Sequence, residues 1–189
     1  PRDAFVSSRA PDLAGLPVGG VVGTASLRRQ AQILYRRPDL KVVSFRGNVQ
    51  TRLRKLDEGE ADATLLALAG LRRLALADVA RAIIAPEDIL PAVGQGAIGI
   101  TCRTDDAATR ARLQPLDHGE THARVRAERA MLEVLDGSCR TPIGGLAEFA
   151  DDGTLHLRAL VARPDGSDLH ETARHGAAAR AIAVVGTEA

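Results

Sequence analysis

The sequence predicts an α/β protein in two parts: a βαβ part with a mainly parallel sheet, then a small α+β part with an antiparallel sheet. Short apolar runs alternate with helical patterns up to residue 96. A long segment of helical spacing follows at 118–137. Three alternating runs, joined by the turn signals DDG and PDGS, complete the pattern.

Each element of the first part is bounded by its own turn or stop signal. The predicted strands are VVGTAS (21–26), KVVSF (41–45), ADATLLALAG (61–70, leading into a short helix) and RAIIAP (81–86). The predicted longer helices are SLRRQAQILYRR (26–37) and NVQTRLRKLDEGE (48–60). Pro38 ends the first helix because proline lacks a backbone N–H and clashes with the preceding turn. Gly59 stops the second.

The stretch PAVGQGAIGI (91–100) marks the passage between the two parts. Its glycines Gly94 and Gly96 lie one residue apart, an arrangement that favours a hinge or an inter-domain crossing. The following run AIGITCR (97–103) predicts an apolar strand. We therefore expect Cys102 to lie in the core.

The second part begins with the long helix, 118–137, for which Gly137 is the expected C-cap. The alternating runs after it are LAEFA, TLHLRALVARP and LHETARH. Because their connections carry turn residues, they predict a small antiparallel sheet packed on the helix.

Composition excludes several classes of function. The net charge is +1, so nothing global attracts the chain to nucleic acid, and aromatic residues, at 2%, offer no stacking surface for RNA. No apolar run approaches the roughly 20 residues that span a bilayer, and no charged-then-apolar signal segment is present. We therefore expect no membrane partner. Two cysteines do not make a disulfide framework, which favours a reducing cytoplasm.

Arginines follow three successive predicted strands. Arg28 and Arg29 lie in the first turn of a helix, where cations are disfavoured by the helix dipole and free N–H groups prefer an anion. The other arginines at such junctions are Arg46, Arg52, Arg72 and Arg73. The carboxyl ends of parallel strands meet at one edge, so these residues predict a pocket for several carboxylates or phosphates. The alternative is that the arginine side chains reach water or nearby carboxylates of the protein.

Cys139 lies in the small-residue loop GSCRTPIGG, beside Arg140. A nearby cation favours the reactive thiolate, although an inert loop cysteine is an equal alternative. His118 and His122 have a helical spacing, but without further ligands they indicate a solvated helix start and not a metal site. No nucleotide-binding glycine fingerprint is present.

Six motifs, in order along nearly the whole chain, closely resemble the hydroxymethylbilane synthase (porphobilinogen deaminase) family. They are VGTASLRRQAQ, RGNVQTRLRKLD, LALAGLRRL, LPAVGQGAIGI, AERAMLEVLDGSCRTPIGG and LRALVARPDGS. The resemblance implies a transferase that joins four porphobilinogen molecules head to tail, with release of ammonia, in haem and tetrapyrrole biosynthesis. It also implies a dipyrromethane cofactor fixed by a thioether to Cys139.

The resemblance assigns roles to the arginine edge, because each pyrrole carries an acetate and a propionate. The cofactor-binding residues implied are Cys139, Thr24, Ser26, Arg28, Arg29, Arg46 and Gly70. The substrate-binding residues implied are Arg28, Arg29, Arg46, Arg52 and Arg73. No residue of this sequence matches the motif of the family's catalytic aspartate, and no metal is expected.

The resemblance also implies a division into domains. We expect a periplasmic-binding-protein-like domain 2 at 1–96, a crossing segment at 97–117 that would belong to domain 1, and a domain 3 at 118–189, truncated at its end. On this interpretation the chain is a fragment without most of domain 1, a monomer, and inactive by itself. The alternative function is a non-catalytic polyanion-binding module of the periplasmic-binding type.

Overall fold

The computed structural model describes residues 1–138 and 141–177. Within these residues the strands of the first sheet are β1 (Asp3–Ser7), β2 (Val21–Gly23), β3 (Lys41–Val43), β4 (Ala63–Ala67) and β5 (Ala82–Ile83). The helices are α1 (Leu27–Arg36), α2 (Val49–Asp57), α3 (Leu68–Arg73), α4 (Ala107–Leu113) and α5 (Gly119–Val134). The strands of the second sheet are β6 (Ile143–Phe149), β7 (Thr154–Ala162) and β8 (Leu169–Ala177).

The first sheet has the strand order β3-β2-β4-β1-β5. Strand β2 is parallel to both β3 and β4, as the βαβ pattern predicts, while β1 is antiparallel to β4 and β5. The predicted α/β fold with parallel βαβ strands is thus confirmed, within a sheet that is mixed because β1 runs antiparallel to its two neighbours. Strand β1, DAFVS, was not among the predicted strands, and it occupies a fully buried position between its neighbours.

Side chains of β1 show why both faces of this sheet are covered. Phe5 belongs to an apolar cluster with Ile33 of α1, whereas Ala4 belongs to a second cluster with Phe45 and Leu71. Successive residues of a strand point to opposite faces, so a strand that is buried on both faces reads as a continuous apolar run. Helices on the two faces supply the remaining apolar surface.

The second part is a three-stranded antiparallel sheet in the order β6-β7-β8, packed on α5. Ala127 and Met131 of the helix pack against Ile143, Leu155 and Leu157 of the sheet. The described residues therefore confirm the predicted small antiparallel domain, with its turns where the DDG and PDGS signals stand.

Hydrogen bonds to Glu128 join the turn at residues 94–96 to the second part. The Glu128 carboxylate is 5% exposed and accepts from the backbone N–H of Gly94 at 2.6 Å and of Ala147 at 2.8 Å. Burial raises the pKa of Glu128, against the lowering effect of these two donors. The backbone N–H of Gly145 also donates to the carbonyl of Pro91. The turn that contains Gly94 is thus held to both α5 and β6.

Three sequence-based expectations differ from the structure. No strand forms at 97–103 among the described residues, and Ile98 is 68% exposed, because no described neighbour pairs with the segment. Cys102 is consequently exposed, so the prediction that it lies in the core was wrong. At the end of α5 the left-handed residue is Asp136, with φ of 47°, and not Gly137. A side chain at Gly137 would instead collide with Leu132.

Among the residues described, no helix combines the length and the hydropathy that a membrane-crossing segment requires.

Candidate functional site

Three junctions between a strand and a helix lie at one edge of the first sheet. Strands β2, β3 and β4 are parallel, so the residues that follow each of them emerge on the same side. These are the residues to which the sequence assigned the arginine-lined pocket. The structure places Arg28 and Arg29 in a buried cluster and Arg72 and Arg73 at an open cavity, and it leaves Arg46 exposed.

The turn after β2 is fixed by its own hydroxyl groups. Thr24 is buried, its N–H donates to the carbonyl of Val43, and its Oγ1 accepts from the N–H of Ser26 at 3.1 Å. Ser26 is the N-cap of α1, and its Oγ accepts from the N–H of Arg29 at 3.4 Å. Both residues therefore position the first turn of α1, where the two consecutive arginines begin.

Arg28 and Arg29 turn inward and are 4% and 7% exposed. Their guanidinium groups both pair with Asp3 of β1, at 2.9 Å for Arg28 Nη2 and 2.7 Å for Arg29 Nη2. Arg28 Nη1 also donates to the carbonyl of Leu90. Of the two alternatives that the sequence left open, these side chains follow the second: the carboxylate between them belongs to the protein.

Arg52 lies near Arg29, whereas the side chain of Arg46 is exposed to solvent. Arg52 is half-buried and its Nε donates to the carbonyl of Gly47 at 3.0 Å. Burial lowers the pKa of Arg52, and the neighbouring positive charge of Arg29 lowers it further. Arg46 is exposed at the start of the turn that Gly47 forms with φ of 118°.

A cavity of about 620 Å³ lies beside α3 at the same edge. It is lined by three arginines, Arg2, Arg72 and Arg73, together with Gly70, residues 96–98 and apolar residues of β4, α3 and β5. An added Cβ at Gly70 would meet no atom within 4 Å, so this position opens onto free space. The cavity is therefore a basic recess whose dimensions suit a small anionic ligand.

Three residues of this region had no role in the sequence-based site: Asp3, Arg2 and Gln95. Asp3 begins β1 and Arg2 precedes it. Because β1 was not predicted, the sequence did not place either residue at this edge. In the sequence, Gln95 stands out only as the residue between Gly94 and Gly96. Its side chain donates to Asp3 Oδ1 at 2.8 Å and accepts from Arg28 Nη2 at 3.2 Å.

Cys139, the predicted attachment residue, lies outside the described residues, as does Arg140. The residues on either side are described: the N–H of Ser138 donates to Thr141 Oγ1 at 3.2 Å. In the sequence Cys139 thus stands between α5 and β6, and β6 is the strand whose Gly145 N–H donates to the carbonyl of Pro91.

The histidine pair at the start of α5 serves the helix. His118 is its N-cap and accepts from the N–H of Thr121, while His122 contacts Asp117. In residues 1–138 and 141–177 no group of three or more His, Cys, Asp or Glu side chains could hold a metal ion.

Comparison with known proteins agrees with this architecture. Residues 1–111 match the family model of the porphobilinogen deaminase, dipyromethane cofactor binding domain, and residues 122–188 match that of the porphobilinogen deaminase C-terminal domain. The first 111 residues therefore belong to the family of dipyrromethane cofactor-binding domains.

Two curated relatives illustrate the match. The chain is 57% identical over 175 residues to the chloroplastic porphobilinogen deaminase of Oryza sativa subsp. japonica, which covers 93% of this chain and 49% of that protein. It is 56% identical over 183 residues to the porphobilinogen deaminase of Nitrobacter hamburgensis, which covers 97% of this chain and 58% of that protein. The chain spans about half the length of these relatives. Because both of its parts match the family's own domain models, this chain belongs to the porphobilinogen deaminase family.

Proposed function

We propose that the complete protein is a hydroxymethylbilane synthase, which joins four porphobilinogen molecules head to tail and releases ammonia. The observation that carries the proposal is the match of both parts of the chain to porphobilinogen deaminase domains. The arginine-rich edge of the first sheet supports it, because the acetate and propionate groups of each pyrrole need cationic partners. Because two cysteines do not make a disulfide framework, we place the protein in the cytoplasm. We also propose that it is a monomer.

The donor groups at this edge fit an anionic bispyrrole cofactor. Guanidinium groups dominate, and Arg28 Nε is buried with no hydrogen-bond partner among the described residues. A buried donor without an acceptor is costly, and a ligand carboxylate would satisfy it. The proposed cofactor-binding residues are Cys139 for attachment and Thr24, Ser26, Arg28, Arg29, Arg46 and Gly70. When bound, the dipyrromethane group supplies the primer to which substrate units are added.

The chain's own residues would bind and orient the substrate. The proposed substrate-binding arginines are Arg28, Arg29, Arg46, Arg52 and Arg73. Arginine holds a carboxylate through two parallel hydrogen bonds, which fixes both its position and its direction. Holding two reacting pyrroles in line reduces the entropic part of the barrier.

We expect this 189-residue chain to show no useful turnover of porphobilinogen by itself. Asp3, the described carboxylate inside the arginine cluster, is fully engaged by Arg28 and Arg29, so it does not serve to stabilise a developing positive charge on a pyrrole. Bilane formation is measured with the chain alone and with the first domain of a relative added. Full activity of the chain alone would contradict this expectation.

Mass spectrometry of the protein as isolated from cells tests the covalent cofactor. We expect a mass increase equal to two pyrrole units, which disappears in Cys139→Ser. The matched control is Cys102→Ser, because Cys102 is the other cysteine and is exposed. Loss of the added mass in the control, or its persistence in Cys139→Ser, would refute attachment at Cys139. An unmodified protein that still binds polyanions would favour the non-catalytic binding module.

A further inference from the structure

We propose that Asp3 is a positioning residue, which holds the guanidinium groups of Arg28 and Arg29 in the orientation that anionic ligands require. The inference rests on the proposed function for the identity of those ligands. It rests on the geometry of β1, α1 and the turn that contains Gln95 for the role of Asp3.

The Asp3 carboxylate accepts four hydrogen bonds. Its Oδ1 accepts from Arg29 Nη2 at 2.7 Å and from Gln95 Nε2 at 2.8 Å. Its Oδ2 accepts from Arg28 Nη2 at 2.9 Å and from Arg29 Nε at 3.1 Å. Two carboxylate oxygens offer about four acceptor sites, so this carboxylate is saturated.

Strand direction places this carboxylate at the ligand edge. Asp3 is the first residue of β1 and pairs with Ala67, the last residue of β4. Because β1 runs antiparallel to β4, its beginning meets the carboxyl ends of the parallel strands. A residue at the other end of β1 would lie at the opposite edge of the sheet, where the parallel strands begin.

Each guanidinium group also donates a hydrogen bond to a backbone carbonyl oxygen. Arg29 Nη1 donates to the carbonyl of Leu65 at 3.0 Å, and Arg28 Nη1 donates to the carbonyl of Leu90 at 2.6 Å. The Gln95 side chain bridges Arg28 and Asp3. Both side chains are therefore fixed in rotation as well as in position, which long surface arginines are not.

The charges of the cluster leave a surplus for a ligand. One carboxylate opposes two guanidinium groups, so the trio retains one positive charge, and Arg52 adds another nearby. Asp3 thus reduces the repulsion between adjacent arginines without cancelling their attraction for anions. Removal of this carboxylate would leave two buried cations free to separate.

Asp3 acts through the arginines and not on the substrate directly. Burial raises the pKa of its carboxyl, but the two guanidinium groups outweigh this, and the pKa lies below its ordinary value. Asp3 therefore stays ionised at neutral pH, and all of its acceptor sites are filled. It neither gives nor takes a proton.

The test compares Asp3→Asn with Asp62→Asn in the complete gene product. Asp62 is the control because its carboxylate also pairs with an arginine, Arg9, and accepts from the backbone N–H of Val21 at 2.8 Å, but contacts neither Arg28 nor Arg29. With equal folded fractions, we expect Asp3→Asn to lower kcat/KM for porphobilinogen at least about tenfold. We expect Asp62→Asn to keep the wild-type kcat and KM.

A second measurement is independent of turnover. With ¹⁵N-labelled arginine, the Arg29 Nε–H donated to Asp3 should exchange slowly with water in the wild type and in Asp62→Asn, and rapidly in Asp3→Asn. An inactive wild type with this protected signal would refute the proposed function but not the contact. An active wild type with an equally active Asp3→Asn would refute the positioning role alone.

Should Asp3→Asn fail to fold, Gln95→Ala replaces it, since that change removes a contact to both Asp3 and Arg28 while the buried charges remain. We expect its kcat/KM to fall about threefold or more, with faster exchange of the arginine N–H groups. Unchanged kinetics and exchange in Gln95→Ala would overturn the proposal.

Discussion

Replacing Arg29 by methionine is expected to lower the free energy of unfolding by about 3–5 kcal/mol, the cost of removing one partner of a buried ion pair. Arg29 donates to both oxygens of Asp3 and to the carbonyl of Leu65. Methionine fills similar space but leaves a buried carboxylate with a single cationic partner. Urea denaturation measures the loss as a lower midpoint at an unchanged slope.

Arg54→Met is the control for loss of a paired arginine. Arg54 contacts Glu58 at 3.3 Å on the surface of α2, with side chains 66% and 50% exposed. Exposed pairs of this kind contribute little, so the change should stay within about 0.5 kcal/mol. If Arg29→Met destabilised the protein no more than this control, the cluster around Asp3 would have no role in stability.

Replacing Phe45 by alanine is expected to cost about 3–5 kcal/mol of folding stability, since it empties a large volume in a core that cannot fully collapse. Phe45 is 1% exposed and packs in the cluster that includes Leu56 and Leu71. Its ring also lies 5.4 Å from Lys55 Nζ, a cation–π contact. Thermal and urea unfolding of the variant measure the loss.

A double-mutant cycle with Gly23 makes this prediction specific. An ideal Cβ at Gly23 would lie 2.5 Å from the Phe45 ring, so Gly23→Ala by itself should cost about 1–3 kcal/mol through overpacking. In the Phe45→Ala background that space is free, and the added methyl group should cost far less. We expect a favourable coupling of about 1–3 kcal/mol. Additive effects would show that the ring does not cover Gly23.

Periodicity and stop signals predicted most of the elements because they are local properties. Helices α1 and α2 begin directly after Ser26 and Asn48, whose side chains cap them. Pro38 and Gly59 indicated where the two helices end. Strand β1 was missed because its apolar run covers only Ala4, Phe5 and Val6, between the polar residues Asp3 and Ser7, and is shorter than the roughly four to eight apolar residues that indicate a buried strand. Cys102 was misplaced because an apolar run indicates a strand only if a partner strand pairs with it.

The candidate site, like the fold, was predicted only in part from local sequence patterns. Arginines after parallel strands predicted a basic edge, since the βαβ pattern sets the direction of β2, β3 and β4. Nothing in the order of residues shows that Arg28 and Arg29 share a carboxylate 25 and 26 residues away in sequence. The cavity beside α3 likewise includes Arg2, which only strand pairing brings near Arg73.

By itself the sequence determined the family, the two-part α/β organisation and the junctions at which arginines stand, because motifs, period and caps are written in neighbouring residues. Only the tertiary structure decided which arginines face inward, and that Asp3 lies between two of them. It also decided that the turn at residues 94–96 is bonded to Asp3 through Gln95 and to Glu128 through Gly94. The physical reason is that an ion pair or a buried hydrogen bond depends on distance in space, and the antiparallel course of β1 sets those distances.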